Sequence, residues 1–495
     1  MATLNGTPGD DSLVGGSADD ELFGLGGDDT LKGAGGADTL DGGSGDDLYI
    51  VGAGDILADS GGIDTVRTAI SWDLGAGFEN LIIVGHDATS SQGNDLDNRM
   101  EGNDADNYFN ARGGNDTLIG GAGDDYFDMS PGQTSSPGND SIEGGDGIDT
   151  VDFDGYAQSA VAADLVAGTV TGGGQGGAGD SVIHGIERFI GGGFDDQVFG
   201  SSGADYLDAR GGDDSIVGRE GADEMLGGGG NDTLDGSNHR FGSTDETVDT
   251  LNGGLGDDVL IVDNPADALV DAGGNDTVEA FNMGWTLAAG YENLVLHTGA
   301  LEALVDGTGN SAANLIDGTG GWHVHLDGKG GADTLLGSPQ EDTLQGRSGG
   351  DVIDGGDDYD LITGNGGADT LAGGWDFRED TLTGGAGRDR FLFLNSQAPG
   401  ADVLTDFTTQ IDELAFDTSS GFGEIGASGN FAAGDARFYA AAGATAGHDA
   451  SDRLVYDTSS GRLYYDPDGS GPDAASAIAD LQGHPQLVAS DITVI

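Results

Sequence analysis

Residues 24–50 read GLGGDDTLK GAGGADTLD GGSGDDLYI, three consecutive nonapeptides in one register. In each, a glycine opens the unit, an Asp (Asp29, Asp38, Asp47) holds the sixth place, and an apolar residue (Leu31, Leu40, Tyr49) holds the eighth. A nine-residue period does not fit an amphipathic helix, and this much glycine would cost a helix about 1 kcal/mol per residue. Each unit therefore predicts a glycine turn followed by a short strand around the eighth residue. One apolar side chain per unit cannot offset the entropy of ordering nine residues. Stacked units align their eighth residues into a continuous apolar ladder. Stacking also aligns the acidic turns, which repel one another unless a cation sits between them. Glycine lets several carbonyls converge and the sixth-place Asp adds a carboxylate, a donor set suited to a hard cation such as calcium.

The register runs through most of the chain. It begins at Asp11 and Asp20, continues through Asp29, Asp38 and Asp47, and returns at Asn98, Asn107, Asp116, Asp125, Asp140 and Asp149. It reappears at Asp196, Asp205, Asp214, Asp223, Asp232, Asp249 and Asp258, and again at Asp333, Asp342, Asp351, Asp360, Asp369, Asp380 and Asp389. These Asp residues are the candidate metal ligands. In GGAGDDYFD (120–128) the ligand is expected to be Asp125 and not Asp124, which is in the variable fifth place, with Phe127 in a ladder with residues nine and eighteen positions away. Some units depart from the pattern. Asn98 and Asn107 lack the charge, SPQED around Asp342 loses its glycines, and GTGGWHVHL (318–326) has His323 where Asp is expected.

Composition agrees with a cation-dependent fold. Lys plus Arg number 16 against 89 Asp plus Glu, a net charge of −73, which opposes compaction and disfavours nucleic acid and anionic membranes. Glycine is 98 of 495 residues and proline only 9, so the chain is neither collagen nor a proline-rich linker. Cysteine is absent, which removes disulfides and thiol chemistry. MATLNGTPGDD has neither a basic nor an apolar signal region, so no cleaved amino-terminal signal is expected, and no apolar run approaches the ~20 residues that span a bilayer.

The units follow the GGxGxDxUx pattern, and the chain resembles the RTX (haemolysin-type calcium-binding repeat) family over most of its length. The resemblance implies an all-β fold, a right-handed parallel β-roll with two nonapeptides per turn, and calcium ions held between turns by the sixth-place Asp and turn carbonyls. The segment FLFLNSQAPGADVLTDFTTQIDELAFD (391–417) resembles the start of the C-terminal domain of serralysin-type RTX proteins. Ser490-Asp491-Ile492-Thr493-Val494-Ile495 resembles the uncleaved signal read by type I secretion machinery, and equally fits a closing β-strand. Together these imply a secreted protein, extracellular or cell-surface associated, that stays unfolded where calcium is scarce and folds outside.

Rolls alternate with glycine-poor insertions. GFENLIIVG (77–85) matches GYENLVLHT (290–298), and GIDTV (62–66) matches GNDTV (274–278); both segments predict wider β-helical coils continuous with the rolls. A third insertion, VDFDGYAQSAVAADLVAGTVTGG with DSVIHGIERFIGGGFDDQVFG after it, has the same strand-like pattern. The expected plan is β-roll at 1–50, 93–152, 191–261 and 310–392, β-helical insertions at 51–92, 153–190 and 262–309, and a C-terminal β domain at 393–495.

Enzyme signatures are few. There is no HExxH, and GRSGG (346–350) lies within a nonapeptide turn without the strand–helix setting that a nucleophilic Ser348 needs. His323 and His325 share a strand face without an identifiable third zinc ligand. YYDPDGSGPD (464–473) spaces Asp466 and Asp468 like the start of a calcium loop but has Ala477 at its twelfth place. The expectation is a calcium-binding structural or interaction module without a catalytic domain, possible partners including an extracellular polysaccharide. The alternative is a polysaccharide lyase or epimerase acting from the coils, which would require Tyr108, Tyr206, His184, Arg188, Arg210 and His239 to share one face.

Overall fold

The structure, a computed structural model, describes residues 1–130, 138–154, 158–173, 179–237, 247–298, 304–375, 378–396, 400–419 and 421–495. Among these, the regular elements are strands and short 3-10 turns, without an α-helix. The chain forms two compact units, one of Met1–Asp258 with Ala266–Ala272, the other of Val259–Pro265 with Gly273–Ile495.

In the first unit, strands of successive nonapeptides go alternately to two sheets, and each strand pairs in parallel with the strand two units away. Leu31 pairs with Leu13 and Tyr49 in one sheet, and Leu22 with Leu40 in the other. Two nonapeptides thus make one turn of a parallel β-roll. The eighth-place side chains meet inside it: Leu22, Leu31, Leu40 and Tyr49 are fully buried, each burial contributing about 1.5–3 kcal/mol. Phe127 pairs with Phe109, eighteen residues earlier, and with Val151, twenty-four later, because the sequence holds extra residues between Phe127 and Val151. Leu118, nine residues before Phe127, lies in the opposite sheet.

The first insertion extends the roll. Thr65–Thr68 pairs in parallel with Leu48–Ile50, then Asn80–Ile83 with Thr65–Thr68 and with Arg99–Glu101. The insertion after Thr150–Asp152 differs. Val161–Asp164 turns back on Thr169–Gly172, which runs antiparallel to Asp180–His184 as well. Its outer strands rejoin the parallel sheet, Asp180–His184 on Ser141–Asp146 and Val161–Asp164 on Gln197–Phe199. The cause is local. Only four residues separate the first two strands, too few for a parallel crossover, and Gly168 closes the turn at φ +69°.

The second unit repeats the architecture, with Leu335 pairing with Ile316 and Ile353, and Ile362 with Leu344 and Leu382. One turn holds an extra residue, which shifts the register around GTGGWHVHL. His325, not His323, pairs with Thr343, so Val324 takes the sixth place and donates its N–H to Asp342 Oδ1 at 2.7 Å. Beyond the repeats, Glu413–Phe416 continues one sheet and Ile492–Val494 pairs with it in parallel. Ser476–Leu481 joins the other sheet in parallel and leads into antiparallel strands Arg462–Tyr465 and Leu454–Asp457. Asp491, Ile492 and Val494 are buried in this arrangement.

Candidate metal centre

The turns bring the sixth-place carboxylates into rows, each tied to the turn before it. Asp29 donates its backbone N–H to Asp47 Oδ1 (2.7 Å), Asn107 to Asp125 (2.7 Å), Asp196 to Asp214 (2.6 Å) and Asp351 to Asp369 (2.9 Å). One oxygen is therefore spent on the fold. The fifth-place acids form a second row of opposite sense. Asp46 donates its N–H to Asp28 Oδ1 (3.0 Å), and Ile148 to Asp124 Oδ1 (2.9 Å), so each accepts from the turn after it. Asp124 sits in this outer row and Asp125 in the buried one.

The second oxygen of the sixth-place Asp separates two kinds of turn. Where the second residue of the unit has left-handed backbone, Oδ2 is buried with no hydrogen-bond partner: Asp29, Asp38, Asp47, Asp116, Asp125, Asp149, Asp214, Asp232, Asp333, Asp351, Asp369 and Asp389. The second residues of these units include Leu25 (φ +82°), Ala34 (+74°), Arg112 (+70°), Arg210 (+77°), Lys329 (+69°), Arg347 (+78°) and Asn365 (+73°), beside glycines such as Gly121 (+119°). In five turns whose second residue is not left-handed, the N–H of that residue caps the carboxylate instead. Gly16 donates to Asp20 Oδ2 (2.6 Å), Gly192 to Asp196 (2.9 Å), and Thr7, Ser201 and Ser338 to Asp11, Asp205 and Asp342. The lost glycines of SPQED thus give Asp342 a Ser338 cap that also includes the hydroxyl, 3.0 Å from Oδ1. Asp140, Asp223, Asp249, Asp258, Asp360 and Asp380 occupy the same buried row.

A buried carboxylate oxygen without a donor is costly, by about 1–3 kcal/mol or more for a charged group. Desolvation, outweighing hydrogen bonds to the backbone and joined by neighbouring acids, raises Asp47 to about 6, Asp125, Asp214 and Asp333 to about 7 and Asp116 to about 8. The unit's opening glycine leaves the space beside this oxygen clear. A methyl on Gly24, Gly120 or Gly346 would come within 2.2, 2.1 or 2.2 Å of the Oδ2 of Asp29, Asp125 or Asp351. An unpaired anionic oxygen in a backbone-lined cradle fits a hard divalent cation.

Asn98, Asn107 and Asn314 complete their turns without charge. Asn98 accepts the Asn94 N–H (2.8 Å), and its amide donates to the Phe78 and Glu79 carbonyls (3.2 and 3.3 Å). Asn314 accepts from Asn310 and donates to the Tyr291 and Glu292 carbonyls in the same way. Asn107 accepts from Asn103 and donates to Thr89 Oγ1 (3.0 Å). Asp64, Glu79, Glu187 and Glu292 belong to the rows although the nonapeptide count did not select them. The Glu carboxylates accept N–H groups from Asp64 (2.9 Å), Asp149 (2.9 Å) and Asp276 (3.0 Å). The signal for Asp64, Glu79 and Glu292 was the GIDTV/GNDTV and GFEN/GYEN match, read only as a strand pattern, and Glu187 lay in the third insertion, read in the same way.

Other candidates separate from the rows. His323 and His325 bond to different partners, the Glu341 carbonyl and Asp306 Oδ1. Ser348 Oγ donates to the Lys329 carbonyl of the preceding turn. Asp466 is fully buried and accepts from Gly447 N–H (2.8 Å), which fastens its loop to residues 447–452. Tyr108, Arg188 and Tyr206 are carried by strands of one sheet, Arg188 and Tyr206 on neighbouring rungs and Tyr108 three rungs before Arg188, and Arg210 follows the Tyr206 strand, whereas His184 lies in the other sheet, and His239 is outside the described residues.

No curated protein matches this chain in sequence. Among solved structures it is similar to the extracellular lipase LipA from Serratia marcescens, at 20% identity and a TM-score of 0.13. That similarity covers 46% of this chain and 34% of the lipase, so the chain spans about a third of that relative's length. The family description RTX calcium-binding nonapeptide repeat (4 copies) matches residues 3–31, 23–55, 92–127, 134–155, 185–216, 208–238, 327–362, 345–377 and 378–392. These matches, with the parallel roll and its buried carboxylate rows, show that both units carry RTX calcium-binding nonapeptide repeats.

Proposed function

We propose that this chain is a secreted protein that folds on binding extracellular calcium and then serves as a structural or interaction module. The observation that carries this reading is the row of buried Asp Oδ2 atoms without donors, from Asp29 to Asp389. Without a cation, the net charge of −73 and the paired acids of adjacent turns favour the open chain. Binding to the folded state alone adds RT ln(1 + [L]/Kd) per site, about 2.7 kcal/mol at a hundredfold excess over Kd. In this reading the chain leaves the cell unfolded through type I secretion machinery and folds where calcium is plentiful. Turns with a left-handed second residue take the ions; those capped by Gly16, Gly192, Ser201 or Ser338 do not need them. Circular dichroism in chelator and then in millimolar calcium tests the proposal: β signal should appear with calcium, and an unchanged spectrum refutes it.

A second reading, a site acting on polysaccharide, draws on one face of the first unit. Tyr108 and Tyr126 stack at 5.5 Å beside Asp128, Asp152 and Asp154 in an open groove, and Arg188 lies 4.0 Å over the Tyr206 ring two rungs beyond Tyr126. Burial raises both Asp128 and Asp152. At Asp128 the hydroxyls of Ser130 and Tyr108 outweigh it and leave the group below its ordinary value, while Asp152 stays above. Carboxylates on neighbouring rungs with pKa values pushed apart suit acid–base work on a sugar chain laid along tyrosines. Polysaccharide turnover by the calcium-loaded protein, lost on Asp152→Asn, would support this reading; binding or turnover unaffected by Tyr126→Ala and Asp152→Asn would remove it.

A further inference from the structure

The first roll ends in a cluster that the nonapeptide pattern does not describe. Carboxylate oxygens of Asp47, Asp59 and Asp64 lie within 4.8 Å of one another. Asp47 and Asp64 are 1% and 0% exposed, and the Oδ2 of each has no hydrogen-bond partner. Asp64 takes the sixth place of its turn, since its Oδ1 accepts the Asp47 N–H at 2.8 Å. Counting back, Asp59 stands in the first place, where most other turns have glycine and those of Asp116 and Asp214 have Ala111 and Ala209.

Tyr49 explains how the cluster is built. Elsewhere the opening glycine faces the carbonyl of the next turn: a methyl on Gly24 would meet the Gly42 oxygen at 2.5 Å. A methyl on Gly42 would meet the Tyr49 hydroxyl, at 2.3 Å. That hydroxyl accepts the Gly42 N–H (2.9 Å) and lies 3.0 Å from both Asp59 Oδ1 and the Ala58 carbonyl. Phe78 packs edge-on against the ring at 5.3 Å and holds it in place. The phenol thus replaces a backbone carbonyl and steers a third carboxylate toward the two buried ones.

We propose that Asp47, Asp59 and Asp64 form a divalent-cation site of higher affinity than the repeat turns, the first to fill as calcium rises. The inference rests on the calcium reading above and adds which site binds first. Its ground is ligand charge: three carboxylates converge where repeat turns supply the sixth-place Asp and carbonyls, and oxygen-site affinity rises with carboxylate count. The chemistry, all hard oxygen, suits calcium and trivalent lanthanides that replace it. In sequence, Asp258, Asp271 and Asp276 stand at the matching places of the second long repeat.

A terbium titration of the full-length chain with tyrosine excitation tests the site, because the Tyr49 hydroxyl touches Asp59. The wild type should show an early phase of sensitised emission at the lowest terbium concentrations, below those that fill the repeat sites. Tyr49→Phe should lose that early phase and keep later ones. Asp59→Gly restores the repeat's own residue, so it should fold in millimolar calcium while its early phase moves at least tenfold higher. Asp59→Asn, with the side-chain volume kept, should show the same shift. An early phase unchanged in either Asp59 variant, or retained in Tyr49→Phe, overturns the inference while leaving the repeat sites intact. Failure of the wild type to respond to calcium or terbium at all refutes the calcium reading together with it.

Discussion

Asp29 hands its backbone N–H to Asp47 Oδ1 at 2.7 Å, one full turn further along the chain. The same bond recurs along both rows, as from Asn107 to Asp125 and from Asp351 to Asp369, and leaves the other oxygen of each carboxylate facing inward. The fold itself thereby creates the need that a cation answers.

Adjacent acids in one turn should behave differently. Asp124→Asn keeps an acceptor for Ile148 N–H, as Asn115 and Asn231 already do for Asn139 and Asp257, and should change neither stability nor ion number. Asp125→Asn removes a buried charge from the inner row and should cost at least one bound ion. Calcium stoichiometry by equilibrium dialysis separates the two outcomes.

The second residue of a unit should decide whether its turn binds. Asp214→Asn, behind left-handed Arg210, should lower ion number. Asp205→Asn, behind the Ser201 cap, should leave it unchanged, with about 1 kcal/mol lost at most. Equal losses from both would contradict the two classes.

Glycine requirements differ by place within the unit. Gly120→Ala puts a methyl 2.1 Å from Asp125 Oδ2 and 2.6 Å from the Gly144 carbonyl, so it should destabilise the calcium-loaded roll by several kcal/mol and weaken binding. Leu25, at φ +82° and largely exposed, carries strain without packing in return. Leu25→Gly should raise stability in saturating calcium by about 1 kcal/mol, read as a higher Tm.

Acid should partly replace calcium. Unfolded Asp titrates near 4, whereas in the folded, ion-free chain burial lifts Asp47, Asp149 and Asp232 to about 6 and Asp125, Asp214 and Asp333 to about 7. Raised folded values mean that the fold favours the protonated form. That contribution is complete below about pH 4 and is lost as pH rises through 6–8. In chelator, β signal should therefore grow as pH falls from 8 to 5, while in saturating calcium it should stay nearly flat. A chelated chain that loses β signal on acidification contradicts the assignment.

Much of this was legible because the repeat is strict. Period, register and charge disclosed the stacked turn-and-strand units, the eighth-place ladder and the sixth-place acids, and the resemblance to RTX repeats supplied the parallel roll. The count failed where a turn gained a residue, moving the sixth place from His323 to Val324, since register is set by pairing and not by distance from the last repeat. The antiparallel excursion at Val161–His184 was hidden because alternating apolar residues do not disclose strand direction. The two classes of turn were also hidden. They depend on the backbone angle of the second residue, and Arg112, Arg210, Lys329 and Arg347 adopt left-handed angles that composition alone assigns to glycine.

Asn98 and its amide bonds to the Phe78 and Glu79 carbonyls have one more consequence. A column of like charges spaced a strand apart ordinarily acts as one electrostatic object, the charge at each place felt by its neighbours. A neutral side chain that completes its own turn acts as an insulator within that column. It separates the acids before it from Asp116 beyond, as Asn107 separates those of the other row from Asp125, so each stretch between such joints gains or loses its cations as its own block.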